Sequence, residues 1–238
     1  MGGSCWMPSR ATPQCFPELV AAQIFAHHTR GSSFDPECSG AEWWAQVRRD
    51  GNPQKAIKFH WDADEFAVDR HGINLHPHLS TVTYLTDCGA PTLMVDRRNP
   101  LSAGGEASPC GPIRRGMLSF PRSGKHVVFD GQLLHGNVPG EGEEGERVTL
   151  LVNVWLNHRP SSCHRLPTET AQYLGSPDGV AELTPLEAPS QKVADPSDHA
   201  LRSKFAWRAH MFKLHVPLPA SCDTAVIGWS HSARLDDA

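Results

Sequence analysis

Residues 147–156 read Arg-Val-Thr-Leu-Leu-Val-Asn-Val-Trp-Leu, and their alternation decides the fold class. Successive side chains of an extended chain point to opposite faces. Val148, Leu150, Val152, Val154 and Leu156 therefore share one face, and Arg147, Thr149, Leu151, Asn153 and Trp155 share the other. The first face is wholly aliphatic and belongs to a core. The second carries a guanidinium, a hydroxyl and an amide in mid-strand, and such groups are costly to bury without partners. A bound dicarboxylate would supply one partner; an internal salt bridge to an acid of the chain is the alternative.

Upstream of this run lie six further β-rich pieces, 56–60, 78–86, 91–96, 117–120, 126–129 and 133–138. Turn chemistry separates them at Cys88-Gly-Ala-Pro91, Arg122-Ser-Gly124 and Asp130-Gly131. Seven strands in about a hundred residues suggest a compact antiparallel barrel or jelly roll. Before them the pattern predicts two helices. One spans 17–28, with Phe16, Leu19, Val20, Ile24 and Phe25 on its apolar side, and the other spans 41–49; Gly31 and Gly51 are their stop signals. Both read as support packed on the outside of a sheet. Two loops look like insertions: 99–112, rich in Gly, Ser and Pro, and 140–146, an acidic hairpin tip. Residues 161–198 read either as a flexible lid or as an ordered surface excursion, and 205–218 as a final strand returning to the sheet.

The length of 238 residues suits a single β domain: helical support over 1–55, barrel core over 56–160 and a C-terminal extension over 161–238. An apolar content of 39%, with seven tryptophans and nine phenylalanines, can fill its core, while 20 glycines and 20 prolines indicate many turns. A net charge of −4 gives no general attraction for phosphate backbones or anionic membranes, so nucleic acid is unsupported as a partner. The seven cysteines are odd in number and form no Cys-x-x-Cys pair, which fits reduced thiols in an intracellular, cytoplasmic or nuclear setting. No signal peptide or membrane span is visible.

His60, Asp62 and His135 are the candidate metal ligands. The piece 56–60 ends at His60, Trp61 takes the opposite side, and Asp62 returns to the side of His60. Chance alone supplies about 0.8 His-x-Asp matches in a chain of this composition, so the pair gains weight only from its context. Asp64 and Glu65 are rival carboxylates at less suitable spacing. His135, in Phe129-Asp-Gly-Gln-Leu-Leu-His-Gly136, also reads as a hydrogen-bonded core histidine. Two imidazoles and one carboxylate on one face of an iron(II) ion leave positions open for a co-substrate and dioxygen. Arg147, twelve residues after His135, then offers a rigid cationic fork for a carboxylate. His71, His76 and His78 read as an entrance lining or a solvated loop rim, and Asn153 and Trp155 as pocket border or packed core.

The segment 56–156 resembles the double-stranded β-helix core of the iron(II)- and 2-oxoglutarate-dependent oxygenases. The matching pieces are His60-x-Asp62, Tyr84-Leu-Thr-Asp87 followed by Gly89-Ala-Pro-Thr92, Phe129-Asp-Gly with His135, and Arg147-x-Thr149. The resemblance implies a mainly β, jelly-roll or cupin-like fold with N-terminal flanking helices. It makes His60, Asp62 and His135 the catalytic iron ligands. Arg147 would pair with the distal carboxylate of 2-oxoglutarate, Thr149 would hydrogen-bond the same oxygens, and Tyr84 would sit at a co-substrate contact. The partners implied are iron(II), 2-oxoglutarate, dioxygen, supporting ascorbate and an unidentified organic or protein substrate. The 84–92 stretch resembles the prolyl-hydroxylase-like branch, which commonly has lysine where this chain has Arg147, so prolyl hydroxylation does not follow. Related halogenases replace the ligand carboxylate with a small residue; Asp62 is present, which favours hydroxylation or oxidative demethylation. The competing expectations are a non-catalytic cupin-like metal-binding module and a metal-dependent hydrolase or isomerase on the same barrel.

Overall fold

A computed structural model describes residues 3–49, 57–99, 113–137, 145–178, 200–207, 210–217, 224–228 and 233–234. The chain runs β1 (Cys5–Pro8), α1 (Phe16–His28), β2 (Gly40–Arg49), α2 (Glu65–His71), β3 (Leu79–Tyr84), β4 (Thr92–Arg98), β5 (Arg115–Ser119), β6 (His126–Asp130), β7 (Leu133–Asn137) and β8 (Glu146–Trp155). It continues through α3 (Thr168–Ala171), β9 (Ala200–Trp207), β10 (His210–Pro217), β11 (Thr224–Gly228) and β12 (Ala233–Arg234). The fold is mainly β, with antiparallel sheets in the orders β1-β2-β8-β3-β6, β11-β5-β4-β7 and β12-β10-β9.

The alternation in β8 sorts its residues between two cores. Leu150, Val152 and Val154 face outward onto Ala21, Ile24 and Phe25 of α1, joined by Met7, Ala41 and Trp43. Each fully buried aliphatic or aromatic side chain in such a layer contributes about 1.5–3 kcal/mol relative to exposure. Leu151 faces the other way, into a cluster with Val82, Tyr84, Val127 and Phe129 of its own sheet and Met94, Met117 and Leu133 of the second. The two larger sheets therefore pack face to face, and Arg147, Thr149 and Asn153 share the side of Leu151.

Helix α1 forms as expected, with Pro17 in its first turn, where a missing N–H costs nothing, and Thr29 closing it with its hydroxyl on Phe25 O. Residues 41–49, expected to be a helix, are strand β2 instead. It pairs with β8 over ten consecutive positions, from Gly40–Trp155 to Arg49–Glu146. Ala-Glu-Trp-Trp-Ala-Gln-Val satisfies either period, and the bonding edge of β8 decides the matter: tertiary pairing overrides a weak local preference. Trp43 goes outward to α1, while Trp44 and Gln46 go inward.

Three other expectations change. The strand expected at 56–60 is, in its described part, a segment joined to β7 by one antiparallel bridge between His60 and His135. The strand that joins the larger sheets from the C-terminal region is β11, paired with β5, whereas β9 and β10 pair with each other. The short helix α2 was not expected; Asp64 caps it by accepting from Ala67 N, and Gly72 ends it in the left-handed conformation. Most of the loop at 99–112, the tip of the one at 140–146, and 179–198 of the C-terminal excursion lie outside the described residues. No helix among the described residues is long and apolar enough to cross a membrane.

Candidate metal centre

His135 comes from β7, and His60 with Asp62 from the segment that crosses it. Their backbones exchange hydrogen bonds, His60 N to His135 O at 2.9 Å and His135 N to His60 O at 3.0 Å, with Asn137 N on Ile57 O at 3.0 Å. Gly136 permits this approach: a Cβ there would stand 3.0 Å from Ile57 O and 3.1 Å from the backbone of Phe59.

The three side chains then meet. Asp62 Oδ1 lies 3.5 Å from His60 Nε2 and Oδ2 lies 3.6 Å from His135 Nε2, and one donor atom from each residue falls within 4.8 Å of the others. Ligands at about 2.1 Å from a common ion stand roughly 3–3.4 Å apart, so small side-chain rotations close the set on a metal. The remaining ring nitrogens are held as a metal site requires. His60 Nδ1 faces Lys58 O at 2.8 Å and His135 Nδ1 faces Leu133 O at 2.9 Å. A carbonyl only accepts, so each Nδ1 carries a hydrogen and each Nε2 is the ring atom turned towards the shared point. Ser80 donates to Asp62 Oδ2 at 2.7 Å. Burial opposes charge on Asp62, but His135, His60 and the Ser80 hydroxyl outweigh it and hold the carboxyl well below the usual range. Burial pulls His135 down, whereas His60 is pushed up against its burial by Asp62.

The triad opens on a cavity of about 140 Å³ between the two larger sheets, and Arg147 also lines it. Gln46, Thr92, Asn137 and Asn153 contribute polar groups to its wall, and Trp44 and Phe129 contribute rings. Arg147 is buried; its Nη2 donates to Thr92 Oγ1 at 3.0 Å and its guanidinium lies 5.3 Å from the Tyr84 ring centroid. Thr92 is two residues along β4 from Met94, the partner of His135, a rise of about 7 Å between those two backbone positions. Gly89, at φ +94°, lies against the Arg147 stem, where a Cβ would overlap it.

Of the other site candidates, Thr149 is fully buried, and its Oγ1 has no hydrogen-bond partner among the described residues. The Tyr84 hydroxyl donates to Ser119 O at 3.0 Å and shares a hydrogen bond with Thr92 Oγ1 at 2.8 Å, so it braces Thr92 beside Arg147 and does not line the cavity. Asp64 is occupied by the α2 cap, by His158 at 2.9 Å and by Ser161 N at 3.3 Å. Glu65 begins α2 and is exposed. His71 and His78 are exposed, while His76 Nδ1 contacts Asp62 O at 2.5 Å. Asn153 lines the cavity, whereas Trp155 packs with Trp6 and Cys163 and donates to Glu42 Oε2 at 2.9 Å. Ser80 and Gln46 were missed from sequence, because only the strand register sets them beside Asp62 and Arg147. Comparison of the sequence with protein-family models and with curated proteins finds no match.

Proposed function

We propose that this chain is an oxygenase on a double-stranded β-helix, in which His60, Asp62 and His135 hold iron(II) and Arg147 anchors 2-oxoglutarate. One observation carries the reading. Two imidazole Nε2 atoms and a carboxylate converge on the cavity between the two larger sheets, and a buried guanidinium lines the same cavity. The fit of a carboxylate is supported by the Thr149 hydroxyl, a buried donor two residues along β8 from Arg147 that has no partner among the described residues. Iron(II) with 2-oxoglutarate and dioxygen supplies oxidation of a C–H bond, here hydroxylation or oxidative demethylation, with succinate and carbon dioxide as co-products.

The chain's own contribution is positional. The carbonyls of Lys58 and Leu133 fix the imidazole tautomers, Ser80 fixes the Asp62 carboxylate, and Thr92 and the Tyr84 ring fix the guanidinium. Phe129, Leu151 and Trp44 keep the cavity wall largely apolar, which strengthens each charged contact made inside it.

Purified protein given iron(II), ascorbate and 2-oxoglutarate is expected to form succinate slowly without a further substrate, and His135→Ala is expected to abolish this. Full succinate output from His135→Ala refutes the assignment. Metal binding without any Arg147-dependent affinity for 2-oxoglutarate would instead identify a metal-binding module.

A further inference from the structure

We infer that Arg48 is a second cationic residue of the carboxylate anchor, forming with Arg147 a two-guanidinium clamp on one end of a small dicarboxylate. The identity of that acid rests on the oxygenase reading above; the need for an anion does not.

Arg48 on β2 is the direct cross-strand partner of Arg147 on β8, so the two side chains leave the same face of the sheet side by side. The alternation of β2 agrees, since Trp44 and Gln46 line the cavity and Arg48 is the next residue on that face. Like charges placed directly opposite destabilise an antiparallel pair. Relief from a protein acid is not evident at Arg48: no acidic side chain pairs with it among the described residues, and its buried Nε has no hydrogen-bond partner there. A guanidinium N–H buried dry is costly, and a carboxylate is the group its fork fits. Two residues along β8, on the same face, Thr149 carries a buried hydroxyl with no partner among the described residues, a donor that a carboxylate beside Arg48 can use. An anion bridging Arg48 and Arg147 turns a repulsive pair into an attractive triad, and the metal ligands on the same cavity favour an acid that is short and double-ended.

Calorimetric titration of the full chain with glutarate, which has both carboxylates but lacks the 2-keto group, tests the clamp apart from turnover. Wild type is expected to bind, Arg48→Gln to bind at least tenfold more weakly, and Arg48→Lys to fall between them. In the same samples, unliganded Arg48→Gln is expected to melt at or above the wild-type temperature, because the repulsion is gone. No glutarate binding by wild type, wild-type affinity in Arg48→Gln, or a lower unliganded melting temperature overturns the proposal. Inorganic phosphate serves as comparator, and phosphate bound more tightly than glutarate through Arg48 overturns the dicarboxylate assignment. Arg48-dependent glutarate binding without succinate formation from 2-oxoglutarate sinks the oxygenase reading and leaves the clamp; normal turnover with an unchanged KM for 2-oxoglutarate in Arg48→Gln does the reverse.

Discussion

Replacing Gly89 with alanine links a turn to ligand binding through a single methyl group. Gly89 sits at φ +94°, and a Cβ built on it would overlap Arg147 Cβ while standing 3.1 and 3.2 Å from Cγ and Cδ. The left-handed backbone costs an L-residue about 1–2 kcal/mol. Overpacking against a buried stem adds about 1–3 kcal/mol, so the total is about 2–5 kcal/mol. Arg147 is only 2% exposed and is held between Thr92 and the Tyr84 ring, which leaves it nowhere to retreat without surrendering the Thr92 hydrogen bond. Urea unfolding should therefore show a lower midpoint at unchanged slope. Titration with 2-oxoglutarate should show affinity reduced about tenfold or more, since one misdirected charge-assisted contact is worth about 1.5–3 kcal/mol. A Gly89→Ala protein within about 0.5 kcal/mol of wild type, with unaltered affinity, would mean that the turn does not position the arginine.

Ser80→Ala removes the hydroxyl from Asp62 Oδ2 and should weaken metal binding about tenfold, the usual effect of losing a group that orients a ligand; unchanged affinity for manganese(II) or iron(II) by calorimetry would contradict this. His126 supplies a pH signature away from the centre. Burial, then His28 and His27, depress its imidazole from 6.5 to about 4, with His28 Nε2 at 3.1 Å and Thr83 Oγ1 at 2.8 Å. The unfolded chain takes up this proton first, so the stability at stake is complete above pH 6.5 and lost as pH falls towards 4. The loss amounts to up to roughly 3 kcal/mol. His126→Gln should flatten that part of the stability–pH curve in urea melts at pH 7.5 and 4.5, and an equal acid loss in wild type and variant would refute it.

Strand β8 was legible from its alternation and helix α1 from Pro17 at its start, although not its buried face, where Phe16 is exposed and Glu18 buried; the approach of His60 and Asp62 was legible because residues two apart in an extended segment share a side. Strand β2 was not, since two adjacent tryptophans between alanines suit a helix as well as a strand, and only the partner decides. The same missing register concealed Arg48 and Gln46. Each is an unremarkable polar residue until it is set opposite Arg147 and Thr149, and cross-strand neighbours a hundred residues apart leave no mark in local sequence. Buried Glu18, which accepts from Arg165 Nη2 at 3.1 Å, escaped for the same reason.

The divided origin of the triad has a thermodynamic corollary. Two of its members ride on a stretch attached to β7 by three backbone bonds across Gly136, a seam of few contacts that can part while the sheets behind it stay shut. An ion bound at the proposed centre would be gripped from both sides of that seam, and at a free concentration a hundred times its dissociation constant it would add about 2.7 kcal/mol against parting. Filling the proposed centre and fastening that seam would then be one equilibrium, and whatever strips the ion would also loosen the segment that carries His60 and Asp62.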